Sequence, residues 1–167
     1  MDNVTKLVII RGNSGSGKST LGKTLQRKFG RGTMLISQDV VRRDMLYEKD
    51  GPNTEASKLI NELALHGKKN CKVVILEGIL NSKWYENLFE NLKDEFKDNI
   101  FAYYFDLPFK ETLKRHKQKP NSNEFGEKEM RSWWKEKDLL ASIHEVCLHK
   151  ELSLNEIVDM VYQDVIK

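Results

Sequence analysis

Gly12-Asn13-Ser14-Gly15-Ser16-Gly17-Lys18-Ser19 follows an apolar run, Leu7-Val8-Ile9-Ile10, and precedes Thr20-Leu21-Gly22-Lys23-Thr24-Leu25, which reads as the first turns of a helix. The octet is G-x-x-x-x-G-K-S between a buried strand and a helix, the context in which that spacing makes a phosphate-binding P-loop. The glycines let successive backbone N–H groups turn inward around a polyphosphate, and the helix N-terminus adds its positive dipole end. Lys18 is placed to reach β- and γ-phosphates, and the Ser19 hydroxyl to meet Mg²⁺. The expected nucleotide contacts are therefore Gly12, Asn13, Ser14, Gly15, Ser16, Gly17, Lys18, Ser19 and Thr20, with ATP and Mg²⁺ as ligands.

The rest of the chain alternates strand and helix, which argues for an α/β fold with a parallel sheet covered on both faces. The strands expected are Lys6–Arg11, Thr33–Ser37, Lys72–Leu76, Ile100–Phe105 and Glu145–Leu148. Val73-Val74-Ile75-Leu76 is apolar on both faces, as a central parallel strand requires. Ala56, Leu59, Ile60, Leu63 and Ala64 follow the spacing of a buried helical stripe, as do Tyr85, Leu88, Phe89, Leu92 and Phe96. Ser153 and Glu156 form a capping-box pattern before Leu154, Ile157, Val158, Val161 and Val165, which line one face of a last helix. Gly51-Pro52-Asn53 marks a break, and Lys119-Pro120-Asn121-Ser122-Asn123 a loop.

A length of 167 residues suits one domain, 1–167, with its own core. No apolar run is long enough to span a bilayer, and Met1 to Lys6 lacks the apolar stretch of a signal peptide, so a cytoplasmic protein is expected. Cys71 and Cys147, far apart and without metal-ligand spacing, read as reduced thiols. The net charge of +3 is local: between Phe109 and Lys137 nine Lys/Arg face five Asp/Glu. That excess excludes a general nucleic-acid-coating surface and points to one basic element that meets phosphate.

A P-loop alone does not separate a hydrolase, a switch and a kinase; three features favour a kinase acting on a hydroxyl. Asp39, just beyond the second strand, sits where open parallel sheets bind ligands, and there it can take the proton of an attacking hydroxyl. Arg42, one turn on, points the same way and can grip an anionic part of the acceptor. The competing role for Asp39 is an N-cap of a helix Val40–Leu46. Glu77, closing the third strand before Gly78, can hold Mg²⁺, through a water, or accept from a substrate hydroxyl; the plainer role is a hydrogen bond to the next loop. Asp106 reads as a cap of the helix near Pro108. The basic segment, about 109–137, has the makings of a helical lid that closes over ATP and excludes water. Within it Arg115 is the first candidate for phosphate or adenine contact and Arg131 the next; most of its lysines read as a solvated face. His116 reads as surface, and Trp133 and Trp134, about 100° apart on a helix, as one core residue and one lining the acceptor pocket or lid hinge.

Gly12–Ser19, the Asp39-x-x-Arg42 pair and a basic segment after the fourth strand make the chain similar to the P-loop kinases of small acceptors. It most resembles the polynucleotide-kinase, zeta-toxin-like and chloramphenicol-phosphotransferase groups. The resemblance implies a three-layer α/β/α sandwich with a five-stranded parallel sheet ordered 2-3-1-4-5. It also implies Asp39 as general base, Arg42 on the acceptor's phosphate, and phosphate contacts from Arg115 and, after it, Arg131. The function so implied is an ATP- and Mg²⁺-dependent kinase with Lys18, Asp39, Arg42 and Arg115 as its catalytic set. Its acceptor would be a small metabolite, a nucleoside or nucleotide, an antibiotic or a 5′-OH nucleic-acid end. The alternative is a P-loop ATPase or nucleotide-dependent switch acting on a protein partner; no N-K-x-D motif supports a guanine-reading version.

Overall fold

The computed structural model describes residues 3–120 and 122–167; Asn121, within the loop expected from sequence, and Met1-Asp2 lie outside the described residues. Five strands form one sheet: β1 (Lys6–Gly12), β2 (Thr33–Ser37), β3 (Val73–Gly78), β4 (Ile100–Phe105) and β5 (Glu145–Leu148). All neighbours are parallel and the order is β2-β3-β1-β4-β5, as the resemblance implies. The connecting helices are α1 (Lys18–Phe29), α2 (Glu55–Asn70), α3 (Glu86–Phe96), α4 (Phe109–Lys117), α5 (Glu127–Trp133) and α6 (Leu154–Ile166). Among the described residues no helix is long and apolar enough to cross a membrane.

Side chains alternate across the pleat, and that alternation builds two cores. On β1, Leu7 and Ile9 join Ile60, Ala64, Phe89 and Leu92 beneath α2 and α3. Val8 and Ile10 join Leu21, Leu25, Val158 and Val161 beneath α1 and α6. The α6 capping box forms as its sequence indicates: Glu156 N–H donates to Ser153 Oγ (3.1 Å), and Ser153 N–H to Glu156 Oε2 (2.7 Å). Leu154, the first residue of α6, departs from its expected face and is 39% exposed.

The same alternation carries the next odd residue, Arg11, into the α3-side core, where it is wholly buried. Its Nη1 donates to both oxygens of Glu145 (3.0 Å each) and to the Asp138 carbonyl (2.8 Å). Nη2 meets Asp138 Oδ2 (3.1 Å) and, like Nε, the Leu80 carbonyl. The guanidinium lies 5.6 Å from the ring centroids of both Phe89 and Tyr104. Asp138 is held in turn by the backbone N–H and hydroxyl of Ser82, and Glu145 Oε1 accepts from Leu140 N–H (2.7 Å). Burial alone would raise the Asp138 carboxyl, but Ser82 and Arg11 outweigh it and hold the group below its ordinary value. Burial keeps Glu145 above its own.

Two local expectations need correcting here. The turn after β2 is not an ordinary helix with Asp39 as cap: Val40–Met45 is a wider π-helical turn. Asp39 already has helical backbone angles (φ −63°, ψ −41°) and makes no capping bond, since a capping side chain needs an extended residue. Asp106 does not cap α4 either. Pro108 occupies that position, while Asp106 Oδ2 lies 3.6 Å from Lys137 Nζ and 3.9 Å from His149 Nδ1.

Removing the Arg11 charge leaves the buried Glu145 and the half-buried Asp138 facing one another, with only the exposed Lys135, 4.0 Å from Asp138, as a nearby cation. Arg11→Met should cost about 3–5 kcal/mol of unfolding free energy, read from urea denaturation. A loss below about 1 kcal/mol, typical of surface sites, would show that the cluster does not hold the fold together.

Candidate nucleotide and phosphoryl-transfer site

The loop between β1 and α1 is built by close approach as much as by its own turns. Gly15 has φ +80°, and a Cβ there would sit 2.5 Å from the Thr112 carbonyl of α4. Gly17, at φ +104°, turns the chain into α1. Only glycine satisfies the two demands together at Gly15.

Side chains then fix the loop from both flanks. Asn13 donates from Nδ2 to the Lys135 carbonyl (2.7 Å) and accepts from Lys135 N–H at Oδ1 (3.0 Å), clasping the segment that follows α5. Arg115 donates from Nη1 to the Ser16 carbonyl (2.7 Å) and from Nε to Glu111 (3.1 Å). That bond fixes the peptide plane after Ser16 and with it the set of loop conformations open to the neighbouring amides. Lys18 is buried, and its Nζ donates to the Asn13 carbonyl (2.9 Å) and Ser16 Oγ (3.4 Å), tucked along the loop. Burial pulls its pKa down to about 8 despite the opposing pull of Glu77 and Asp39.

Alternation on β3 sends Glu77 toward α1, where this 3% exposed carboxylate accepts from the Ser19 hydroxyl (3.1 Å). The Lys18 and Lys119 ammonium groups act on this carboxylate through space, and the Ser19 hydroxyl is its hydrogen-bond donor. Two hard oxygen donors beside a phosphate loop fit a small divalent cation such as Mg²⁺.

These residues line one cavity of about 660 Å³ at the carboxyl ends of the strands. Gly12, Asn13, Ser14, Gly15, Lys18, Ser19 and Glu77 form its floor, and Asp39, Arg42, Arg43 and Lys49 its far wall. Arg42 donates to Asp39 (3.3 Å) and to the Glu48 carbonyl (3.0 Å), and its buried Nε has no partner among the described residues. Ser16 and Gly17 belong to the loop but not to the cavity lining, and Thr20 is exposed on the first turn of α1. Arg115 stands behind the loop, outside the lining. Arg131 is on the solvent side of α5, paired with Glu127 (3.0 Å) and 4.4 Å from the Phe109 ring centroid.

Several lining residues escaped the sequence reading. Lys119 and Phe125 come from the α4–α5 connection, Gln38 and Tyr104 from the ends of β2 and β4, and Asn81 and Trp84 from the β3–α3 connection. Neither Trp133 nor Trp134 enters the core: both line the cavity, because α5 is too short to bury a second face. His116 is not surface but 2% exposed, stacked on Phe125 at 4.4 Å between ring centroids. A polar helix hid it, since its burial comes from the loop folding back over α4.

The sheet order and loop define a P-loop NTPase fold. Residues 7–140 match the AAA domain model, so the chain belongs to that P-loop family. No curated protein matches the sequence. Among solved structures, the Mycobacterium tuberculosis APS kinase CysC in complex with AMPPNP and APS is similar, with TM-score 0.70 and 16% identity. That match covers 98% of this chain and 99% of that one. A gluconokinase from Sinorhizobium meliloti 1021 gives TM-score 0.65 and 14% identity, over 98% and 93%. The Pnkp1/Rnl/Hen1 RNA repair complex gives 0.60 and 21%, over 79% of this chain and 43% of that one. The likeness is one of fold, and the named neighbours include kinases.

The lowered Lys18 has a consequence for binding. Above pH 8 the free protein holds Lys18 increasingly neutral, whereas a polyphosphate beside it favours the charged form. Nucleotide binding at pH 8.5 should therefore take up a proton, and affinity should fall as pH rises further. Calorimetry in buffers of different ionisation enthalpy reads that proton. The uptake should vanish in Lys18→Met.

Proposed function

We propose that the protein is an ATP- and Mg²⁺-dependent kinase that transfers the γ-phosphoryl group to an acceptor hydroxyl. The observation that carries this reading is the shared cavity: the carboxylate of Asp39 opens onto the same space as Lys18, Ser19 and Glu77. A hydrolase or switch has no need of a second, cation-lined wall opposite its phosphate loop.

In this reading the loop amides and Lys18 bind the β- and γ-phosphates, Lys18 exchanging its bond to Asn13 for phosphate oxygens. Ser19 and Glu77 would hold Mg²⁺, which supplies charge neutralisation between the phosphates. Asp39 takes the acceptor's proton, and Arg42, one turn away, orients both that carboxylate and an anionic group of the acceptor. Trp84, Trp133 and Trp134 give the acceptor side flat apolar walls, which suits a compact acceptor with a planar face. The segment 109–137 acts as the lid of a single kinase domain, residues 1–167. Its two ends are anchored to the phosphate loop, α4 touching it at Gly15 and the Lys135 backbone held by Asn13.

The test is transfer from γ-labelled ATP into a metabolite extract and into 5′-OH oligonucleotides. Wild type should yield a labelled product, and Asp39→Asn should slow its formation by about 10²–10⁴-fold with nucleotide binding retained. Label released only as inorganic phosphate, at equal rates in both proteins, would remove the kinase reading.

A further inference from the structure

The lid cation of the resemblance is an arginine, and Arg115 was its match; the geometry points elsewhere. Arg115 has its Nε on Glu111 and one Nη on the Ser16 carbonyl, and it does not line the cavity. Lys119 does. We propose that Lys119, not Arg115, is the cation that meets the γ-phosphoryl group in transfer, while Arg115 holds the loop from behind. This rests on the kinase reading above.

Lys119 is aimed by the fold of its own loop. Its backbone N–H donates to the His116 carbonyl (3.0 Å), closing the end of α4. The Nε2 of His116 lies 2.8 Å from the Phe125 carbonyl and 3.2 Å from that of Ser122. Both are acceptors, so that nitrogen carries a proton. With Phe125 stacked on the imidazole, the loop returns along α4, and Lys119 and Phe125 both face the cavity. The half-buried ammonium makes no hydrogen bond or ion pair among the described residues. The charges that act on it are Glu77 and Asp39, the two acids of the transfer site, and burial lowers its pKa against them. It also acts on Lys18, which places the two ammonium groups on the same phosphate space.

A cation held near two acids but bound to neither is arranged for an anion that arrives later. In the transfer, the bond from γ-phosphorus to the acceptor oxygen forms as the bond to the β–γ bridging oxygen breaks. The electron pair of the broken bond stays on the ADP oxygen, and the acceptor proton goes to Asp39. Lys119 keeps its protons and offsets the charge on the phosphoryl oxygens in flight.

The test needs no acceptor. Mg·ADP alone and Mg·ADP with fluoroaluminate, a mimic of the phosphoryl group in transfer, are titrated calorimetrically into wild type, Lys119→Met, Lys119→Arg and Arg115→Met. Circular dichroism checks that each variant is folded. Wild type should bind the fluoroaluminate complex more tightly than ADP alone. Lys119→Met should lose about 10²-fold of that gain while its affinity for ADP alone moves less than about threefold. Lys119→Arg should recover part of the loss. Full retention of the gain in Lys119→Met, or an equal loss for both ligands, overturns the proposal. Loss of the gain in Arg115→Met with retention in Lys119→Met returns the role to Arg115. No gain in wild type overturns this inference, while the kinase reading stands or falls on the labelled-transfer assay.

Discussion

A single buried guanidinium ties the parts of this protein that lie furthest apart in sequence. Arg11 is the last residue but one of the central strand, and its donors reach the Leu80 carbonyl after β3, Asp138 after α5 and Glu145 on the edge strand β5. A buried ion cluster contributes little net stability against an apolar substitute of the same shape, because desolvating three charges offsets their attraction. What it supplies is position. The segment after α5 has no regular structure of its own between Trp134 and His144, and Asp138 is the point at which it is fastened to the sheet. Four residues earlier that segment carries Trp134 into the cavity; three earlier it carries the backbone that Asn13 clasps.

The phosphate loop is thereby referenced to the sheet twice, once directly through β1 and once around the circuit of Arg11, Asp138 and Lys135. The α4 helix adds a third support, with Thr112 against Gly15 and Arg115 on Ser16. A loop so held needs little reorganisation when a polyphosphate enters, which is the condition for fixed dipoles to act strongly. The cost is visible in Lys18, whose charge is carried at a site that burial disfavours.

The sequence was most legible where one physical demand acts alone. Val73-Val74-Ile75-Leu76 is apolar on both faces because β3 is central, and the P-loop spacing serves backbone geometry that few other residues permit. The Ser153–Glu156 box announces its helix for the same reason. Legibility failed where long-range contact overrides local character. Arg11 reads as the polar end of a strand, and only the register with β3 and β4 shows that it enters a core. His116 sits on a helix of lysines, yet is covered by a loop that folds back nine residues later. Trp133 and Trp134 were divided between core and pocket on helical geometry, but α5 stops at Trp133 and both serve the cavity wall. Lys119 was grouped with the solvated lysines because nothing in its neighbourhood of sequence reveals Glu77 or Asp39 nearby.

The Asn13–Lys135 clasp constrains how such a molecule can diversify. Asn13 stands at one of the open positions of the G-x-x-x-x-G-K-S octet, while its partner is backbone in the covering segment, so the clasp needs an amide side chain on one side and a particular turn shape on the other. A covering segment transplanted from another P-loop protein would arrive without the turn that presents the Lys135 amide and carbonyl together. The floor of the cavity would then lose its brace, however well the new roof suited a different ligand. A change of ligand is easier from the opposite wall, where Arg43, on the turn after β2, and Lys49, beyond it, bear on neither the loop nor the clasp.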